Sequence, residues 1–204
     1  MPISLLHKLV SNPFIYDLSQ KLAGFDKTTK LFKEEFSLLP RQGTVLDVGG
    51  GTGLMRPLFA PEWEYCCLDS DPQKLAGFQS KFPKDNFLQA SACKIPKPDK
   101  SFDLCIMVGV THHLTDHDMI KAFEEIRRVL KDGGTFILMD SVWNPRNLAG
   151  RLIYYVDRGS YPKTKEKIVI ELSERFHIAR KKEWRIHHQY LLCWCTKPAS
   201  EAQF

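Results

Sequence analysis

The chain has 204 residues, a length that suits one domain with a substantial core. Hydrophobic residues make up 43% and charged residues 26%, which excludes a disordered chain, and the formal net charge of +5 reads as a solvated surface rather than a nucleic-acid footprint. No apolar run approaches the ~20 residues of a membrane span, and the opening "MPISLLHKLVSNPF" lacks the basic region, long apolar region and cleavage site of a signal peptide.

In chain order, residues 1–26 form an aromatic-rich leader. Ser11 or Asn12 before Pro13 can start a short helix, "PFIYDLSQKLAG", which Gly24 stops. "KTTKLFKEEFSLL" places Leu31, Phe32, Glu35, Phe36 and Leu39 at helical spacing, and Pro40 ends it. Strand and helix then alternate. "TVLDV" is a strand, "GLMRPLF" a brief helix, "WEYCCLD" a strand, and "DPQKLAGFQSKF" a helix with Asp71 as N-cap and Pro72 at its first position. "NFLQAS" and the longer "FDLCIMVGV" are strands. "DHDMIKAFEEIRRVL" is the clearest helix, with Met119, Ala122, Phe123, Ile126, Val129 and Leu130 in one stripe. Asp116 is expected to cap it and "KDGG" to end it, before the buried strand "TFILMDSV".

The tail differs. "NLAGRLIYYVDRG" and "TKEKIVIELSERF" read as helices, but "HIARKKEWRIHHQYLLCWCTKP" reads as two strands with no helix between, so these are antiparallel neighbours. Continuous apolar strands alternating with helices imply a parallel sheet covered on both faces. The expected fold is therefore an α/β sandwich of three layers, its mostly parallel sheet closed by an antiparallel edge hairpin at the C-terminus. Ligands bind such sheets outside the carboxyl ends of the strands, which directs attention to residues 47–53, 69–71, 90–93, 108–113 and 140–147.

The six cysteines, Cys66, Cys67, Cys93, Cys105, Cys193 and Cys195, lie mostly in apolar strands. They have no zinc or redox spacing, and they read as the reduced, buried thiols of a cytoplasmic protein. No metal site is expected.

The stretch "VLDVGGGTGLM" carries the strongest signal. From Gly49, the dinucleotide fingerprint fails at its sixth position, Leu54, and no Gly-Lys-Ser/Thr completes a phosphate-binding loop. Asp47 stands just before the glycines, and a carboxylate ~5 Å from a phosphate would cost a few kcal/mol. The loop therefore suits a ligand that presents a cation. Asp69 ends the second strand 20 residues after Gly49, where a carboxylate takes the hydroxyls of a ribose. A nucleoside with an ammonium-bearing tail and no phosphate describes S-adenosylmethionine.

With these residues in place, the chain resembles the class I S-adenosylmethionine-dependent methyltransferases of the compact small-molecule type. The resemblance is carried by "VLDVGGGTG", "CCLDSDPQKL", "NFLQASACKIPKPDKSFDLCIMVGVTHHL" and "LKDGGTFILMDSV". It implies a Rossmann-like sheet of seven strands. It also implies a cofactor site built from Asp47, Gly49, Gly51, Gly53, Asp69, Ser70, Ala92, Val108 and Gly109, with Tyr16 of the leader as an aromatic lid. The family usually keeps an acid after the third strand for the adenine amine; here that position is Ser91, which accepts a hydrogen bond without charge assistance.

The resemblance divides one domain into a helical lid (1–40), a cofactor core (41–142), a helical insert that shapes the acceptor pocket (143–175) and edge strands (176–197). Methyl transfer is an in-line displacement that positioning accelerates and a base assists. His113, then His112, in "THHL" are the candidate bases. No Asn/Asp-Pro-Pro-Tyr follows the fourth strand, and no Pro-Cys turn offers a nucleophile, so methylation of adenine amines, glutamine or pyrimidine carbon is disfavoured. Trp143, Arg146, Arg151, Tyr154, Tyr155, Arg158 and Tyr161 in the insert suit a flat or anionic small acceptor. Oxygen is the first expected acceptor atom, then nitrogen or carbon, with RNA or protein methylation, or an inactive cofactor-binding scaffold, as the alternatives. His187 and His188, adjacent on a strand, point to opposite faces and read as surface residues.

Overall fold

The computed structural model describes residues 25–145, 161–186 and 189–198, with only the backbone for 25–29. The leader helix, Tyr16, the helix expected over 147–159 and the His187–His188 pair lie outside the described residues.

In chain order the elements are α1 (Phe25–Phe36), β1 (Gly43–Val48), β2 (Trp63–Asp69), α2 (Pro72–Lys81), β3 (Asn86–Gln89), β4 (Phe102–Val108), α3 (Asp116–Val129), β5 (Leu130–Val142), α4 (Lys165–Ser173), β6 (His177–Arg185) and β7 (Gln189–Thr196). The strands form one seven-stranded sheet in the order β3-β2-β1-β4-β5-β7-β6. β3 through β5 pair in parallel, and β7 runs antiparallel to both β5 and β6. This is the mostly parallel, Rossmann-like sheet with an antiparallel edge that the sequence pattern implies.

Alternation along the strands sorts side chains onto two faces. Leu46, Leu68, Cys105, Met107, Phe136 and Leu138 face the stripe of α3, made of Met119, Ala122, Phe123 and Ile126, and the buried Ile168 and Leu172 of α4. Val45, Tyr65, Cys67, Leu104, Ile106 and Ile137 face Phe32 and Phe36 of α1 and Leu75 and Phe78 of α2. Helices therefore cover both faces, which is why the central strands are apolar throughout. Part of the segment expected to be a lid, α1, is thus a core-packing helix.

Three local expectations change. The helix after the glycines is a single 3-10 turn, Arg56–Leu58, with Pro57 in its first turn. The cap of α3 is Thr115, not Asp116: its hydroxyl accepts from the Asp118 amide (3.1 Å) and donates to the Asp118 carboxylate (2.8 Å), a reciprocal cap. "KDGG" does not separate helix from strand, because β5 starts at Leu130 directly after α3. Lys131 to Gly134 form a bulge between the Phe102 and Leu104 pairings, held to the sheet by Gly133 N–H to Lys197 O (3.2 Å) and Lys197 N–H to Gly134 O (2.9 Å).

Candidate active site

The sheet order reverses direction between β1 and β4, and the crevice of such a sheet opens at that point. The loop after β1 and the loop after β4 meet there. A Cβ on Gly49 would lie 2.5 Å from Val110 Cγ2, and Gly49 has φ +75°, so both the space and the backbone require glycine. Gly49 and Gly50 donate to Leu68 O (2.7 and 3.1 Å), which folds the loop back over the end of β2.

Two carboxylates stand under this loop. Asp69, at the end of β2, is buried. One oxygen accepts the Gly51 amide (3.0 Å) and the other the Asp71 amide (2.9 Å). A carboxylate has about four acceptor sites, so these two bonds fix its orientation and leave capacity for a ligand's hydroxyls. Asp47, at the end of β1, is also buried, and its Oδ2 accepts a short hydrogen bond from the Tyr65 hydroxyl. Burial pushes its carboxyl up to about 7; the Tyr65 bond opposes this, and the neighbouring Asp69 adds to it.

Further along, Ala90 N–H donates to Asp69 O (3.1 Å) and carries the chain past β3 to Ser91 and Ala92. Ser91 is exposed, and its hydroxyl accepts the Cys93 amide (3.1 Å). Val108 and Gly109 end β4 half-buried, next to the Gly49 loop. Gly51 and Gly53 lie in the same turn, with Gly53 N–H donating to Gly50 O (2.9 Å), while Ser70 is exposed beside Asp69.

The histidines fall on a 3-10 turn, Thr111–His113, directly after β4. Their environments differ. His112 is buried, with Nδ1 2.6 Å from Asp140 Oδ1, while His113 is exposed and its ring lies tilted against that of His112, at 4.1 Å between centroids. Asp140 lies near the end of β5, fully buried. Its other oxygen accepts the Thr111 amide and hydroxyl (both 2.6 Å), and the Ser141 amide reaches Oδ1 (2.7 Å). Burial alone would raise this carboxyl, but the charge and hydrogen bond of His112 and the Thr111 bonds overcome it and hold it at about 2. An ionised Asp140 beside Nδ1 favours a proton on that nitrogen, so whenever the ring is neutral its basic lone pair is on Nε2. The ring's Cε1 faces Gly109, 3.9 Å from where a Cβ would stand.

The segment after the insert is tied to this turn. Tyr161 N–H donates to His112 O (3.1 Å), and the buried Lys163 ammonium donates to Leu114 O (2.7 Å) and Tyr161 O (2.8 Å). A cavity of about 450 Å³ lies at the opposite end of the strands, lined by Gly43, Asp103 and Gly134, and takes no part in the site.

Residues 46–138 match the family described as a methyltransferase domain. This stretch of the chain is thus similar to a methyltransferase domain. An uncharacterized methyltransferase of Mycobacteroides abscessus is 32% identical over 123 residues, covering 56% of this chain and 46% of that protein. The ubiquinone/menaquinone biosynthesis C-methyltransferase UbiE of Pasteurella multocida is 31% identical over 150 residues, 65% of this chain and 55% of that protein. The chain thus spans about half the length of the curated relatives it matches. In fold, the PH0226 protein from Pyrococcus horikoshii is similar at TM-score 0.72 and 20% identity, covering 84% of this chain and 90% of that one.

The methyltransferase domain implies S-adenosylmethionine as cofactor, and the residues present fit it. Asp69 can take the ribose, Asp47 the ammonium, and the loop's close approach leaves no room for side chains at Gly49 or Gly50. Burial pushes the Cys66 thiol up to about 11 and that of Cys193 up to about 12, which keeps these two thiols protonated at neutral pH. Two residues escape a reading of the sequence alone. Asp140 falls inside the stretch expected to border the site, but its meaning depends on His112, from the turn after the neighbouring strand β4. Tyr65 sits in an apolar strand, where a buried aromatic reads as core; its only signal is its diagonal register to Asp47 on the same face.

Proposed function

We propose that this chain transfers a methyl group from S-adenosylmethionine to a small molecule, first at an oxygen, with nitrogen or carbon after it. When bound, the cofactor supplies a methyl group on a sulfonium, an electrophile that needs a nucleophile aligned behind it. The single observation that carries the reading is the His112–Asp140 pair beside Gly109 (2.6 Å). Asp140 holds the Nδ1 proton, so His112 Nε2 takes the proton of the acceptor's hydroxyl as it attacks. This geometry favours His112 over the exposed His113 as base. Asp47, Asp69, Ser91, Ala92, Val108 and Gly109 hold the cofactor.

A second reading concerns the acceptor atom. Removing the proton of a phenol enriches a ring carbon as well as the oxygen, and the Pasteurella multocida relative is named a C-methyltransferase. Both readings call for an acceptor with an ionisable hydroxyl.

The test is methyl transfer from labelled S-adenosylmethionine to a panel of phenols, carboxylic acids and amines, with RNA and protein as competitors. The expected result is labelled small product from a hydroxyl-bearing acceptor. On that acceptor, His112→Ala and Asp140→Asn should each lower turnover by about 10²-fold or more, with S-adenosylhomocysteine affinity retained. Label found only in RNA or protein would overturn the small-molecule reading, and unchanged turnover in both variants would remove the base.

A further inference from the structure

Tyr65 is an unusual tenant of β2. Its ring is fully buried, edge-on to Phe59 at 5.4 Å and stacked on Phe78 at 6.1 Å, with the Arg56 guanidinium 5.4 Å over its face. This packing leaves the hydroxyl one direction, and it donates to Asp47 Oδ2. The same oxygen lies 2.5 Å from where a Cβ on Gly50 would stand, so the loop backbone closes directly over the carboxyl. The groups that face Asp47 are Tyr65 and Cys67 from β2, Asp69 at the end of β2, and the backbone of the glycine loop. Arg56, the cation over the Tyr65 ring, is itself bonded to Asp85 at 2.6 Å. Among the described residues, no cation pairs with Asp47.

We propose that Tyr65 is a positioning residue for the cofactor: its hydroxyl locks Asp47 so that the second oxygen meets the ligand's ammonium, and the pair forms a proton-gated cation site. The proposal rests on the reading that the chain binds S-adenosylmethionine. A buried carboxyl with one hydroxyl partner and a second acid nearby holds its proton until a cation arrives. Binding the ammonium supplies that cation, and Asp47 gives up its proton to solvent. The phenol favours the ionised form, because a hydroxyl that donates to a carboxylate stabilises the charge. Burial sets the threshold at about 7 in the unliganded chain.

The sign follows from linkage. Where the free site holds a proton that the bound site lacks, affinity rises with pH. S-adenosylhomocysteine should therefore bind about tenfold tighter at pH 8 than at pH 6. Adenosine, the same nucleoside without the ammonium, should change by less than about twofold over that range. In Tyr65→Phe the carboxyl loses its donor, so the rise in affinity should move to higher pH and affinity at pH 7 should fall several-fold, recovering as pH rises. A second measurement keeps the test open should this variant fail to fold. Calorimetry of the natural chain at pH 7, in buffers of different ionisation enthalpy, should show about half a proton released with S-adenosylhomocysteine and none with adenosine. Affinity for S-adenosylhomocysteine that is flat with pH, or binding with no proton release, would overturn the proton gate and leave the cofactor reading intact. An unmoved pH profile in a folded Tyr65→Phe would overturn the role of Tyr65. No binding of S-adenosylhomocysteine at any pH would overturn the cofactor reading and this inference with it.

Discussion

Two buried carboxyls at the same end of the sheet go opposite ways, and the difference lies in their neighbours. Asp140 gathers His112, two bonds from Thr111 and the Ser141 amide, and is held at about 2. Burial lifts Asp47 to about 7, because the single bond from Tyr65 does not offset it and the repulsion of Asp69 adds to it. Their effects on stability are opposite in sign. The lowered Asp140 contributes stability that is present above the ordinary carboxylate range and is lost as pH falls toward 2. The raised Asp47 contributes stability that is full below that range and is lost as pH rises toward 7. Ionised Asp47 therefore weakens the unliganded chain at neutral pH, by on the order of a few kcal/mol. Asp47→Asn should be more stable than the natural chain in urea at pH 8, by about 1–3 kcal/mol, with the difference shrinking toward pH 5, and should bind S-adenosylhomocysteine more weakly. A variant less stable at every pH would contradict this account of Asp47. Asp47 and Asp69 stand out in the sequence by their spacing to the glycines. Asp140 and Tyr65 do not, because the partner of each, His112 in the turn after β4 and Asp47 on β1, is distant in sequence.

At the scale of elements, most boundaries follow from caps and apolar stripes, and the exceptions have local causes. Asp71 accepts the Gln73 amide (2.9 Å) and starts α2 as its position before Pro72 implies. At α3 the acids of the first turn obscure the residue that caps it. Thr115 precedes them and pairs with Asp118, while Asp116 turns outward to Lys163 at 3.2 Å. Thr115→Ala should cost about 1 kcal/mol, measured by denaturant unfolding, and no change would return the cap to Asp116. "KDGG" misleads because glycines usually end helices; here the bonds to Lys197 absorb them into a bulge, a long-range contact that local sequence cannot announce.

For the molecule as a whole, alternation of strand and helix was enough to give the parallel sheet, and the helix-free tail was enough to give its antiparallel edge. The sheet then does what its order dictates: it gathers the ends of β1, β2, β3, β4 and β5 around the point where the strand order reverses. The glycine loop, Asp69, Asp47 and the His112–Asp140 pair all stand at that end, where the proposed reading gives the cofactor's nucleoside and amino-acid tail an acid each. The acceptor's identity is less legible, because no motif of the sheet specifies it, and the segment proposed to shape its pocket lies between β5 and α4. The most direct test of the account is calorimetric titration of the chain with S-adenosylhomocysteine, beside Asp69→Ala and beside a nicotinamide dinucleotide. The account predicts one molecule bound per chain, affinity reduced at least tenfold in Asp69→Ala, and no heat from the dinucleotide. Binding of the dinucleotide instead, or S-adenosylhomocysteine affinity untouched by Asp69→Ala, would contradict it.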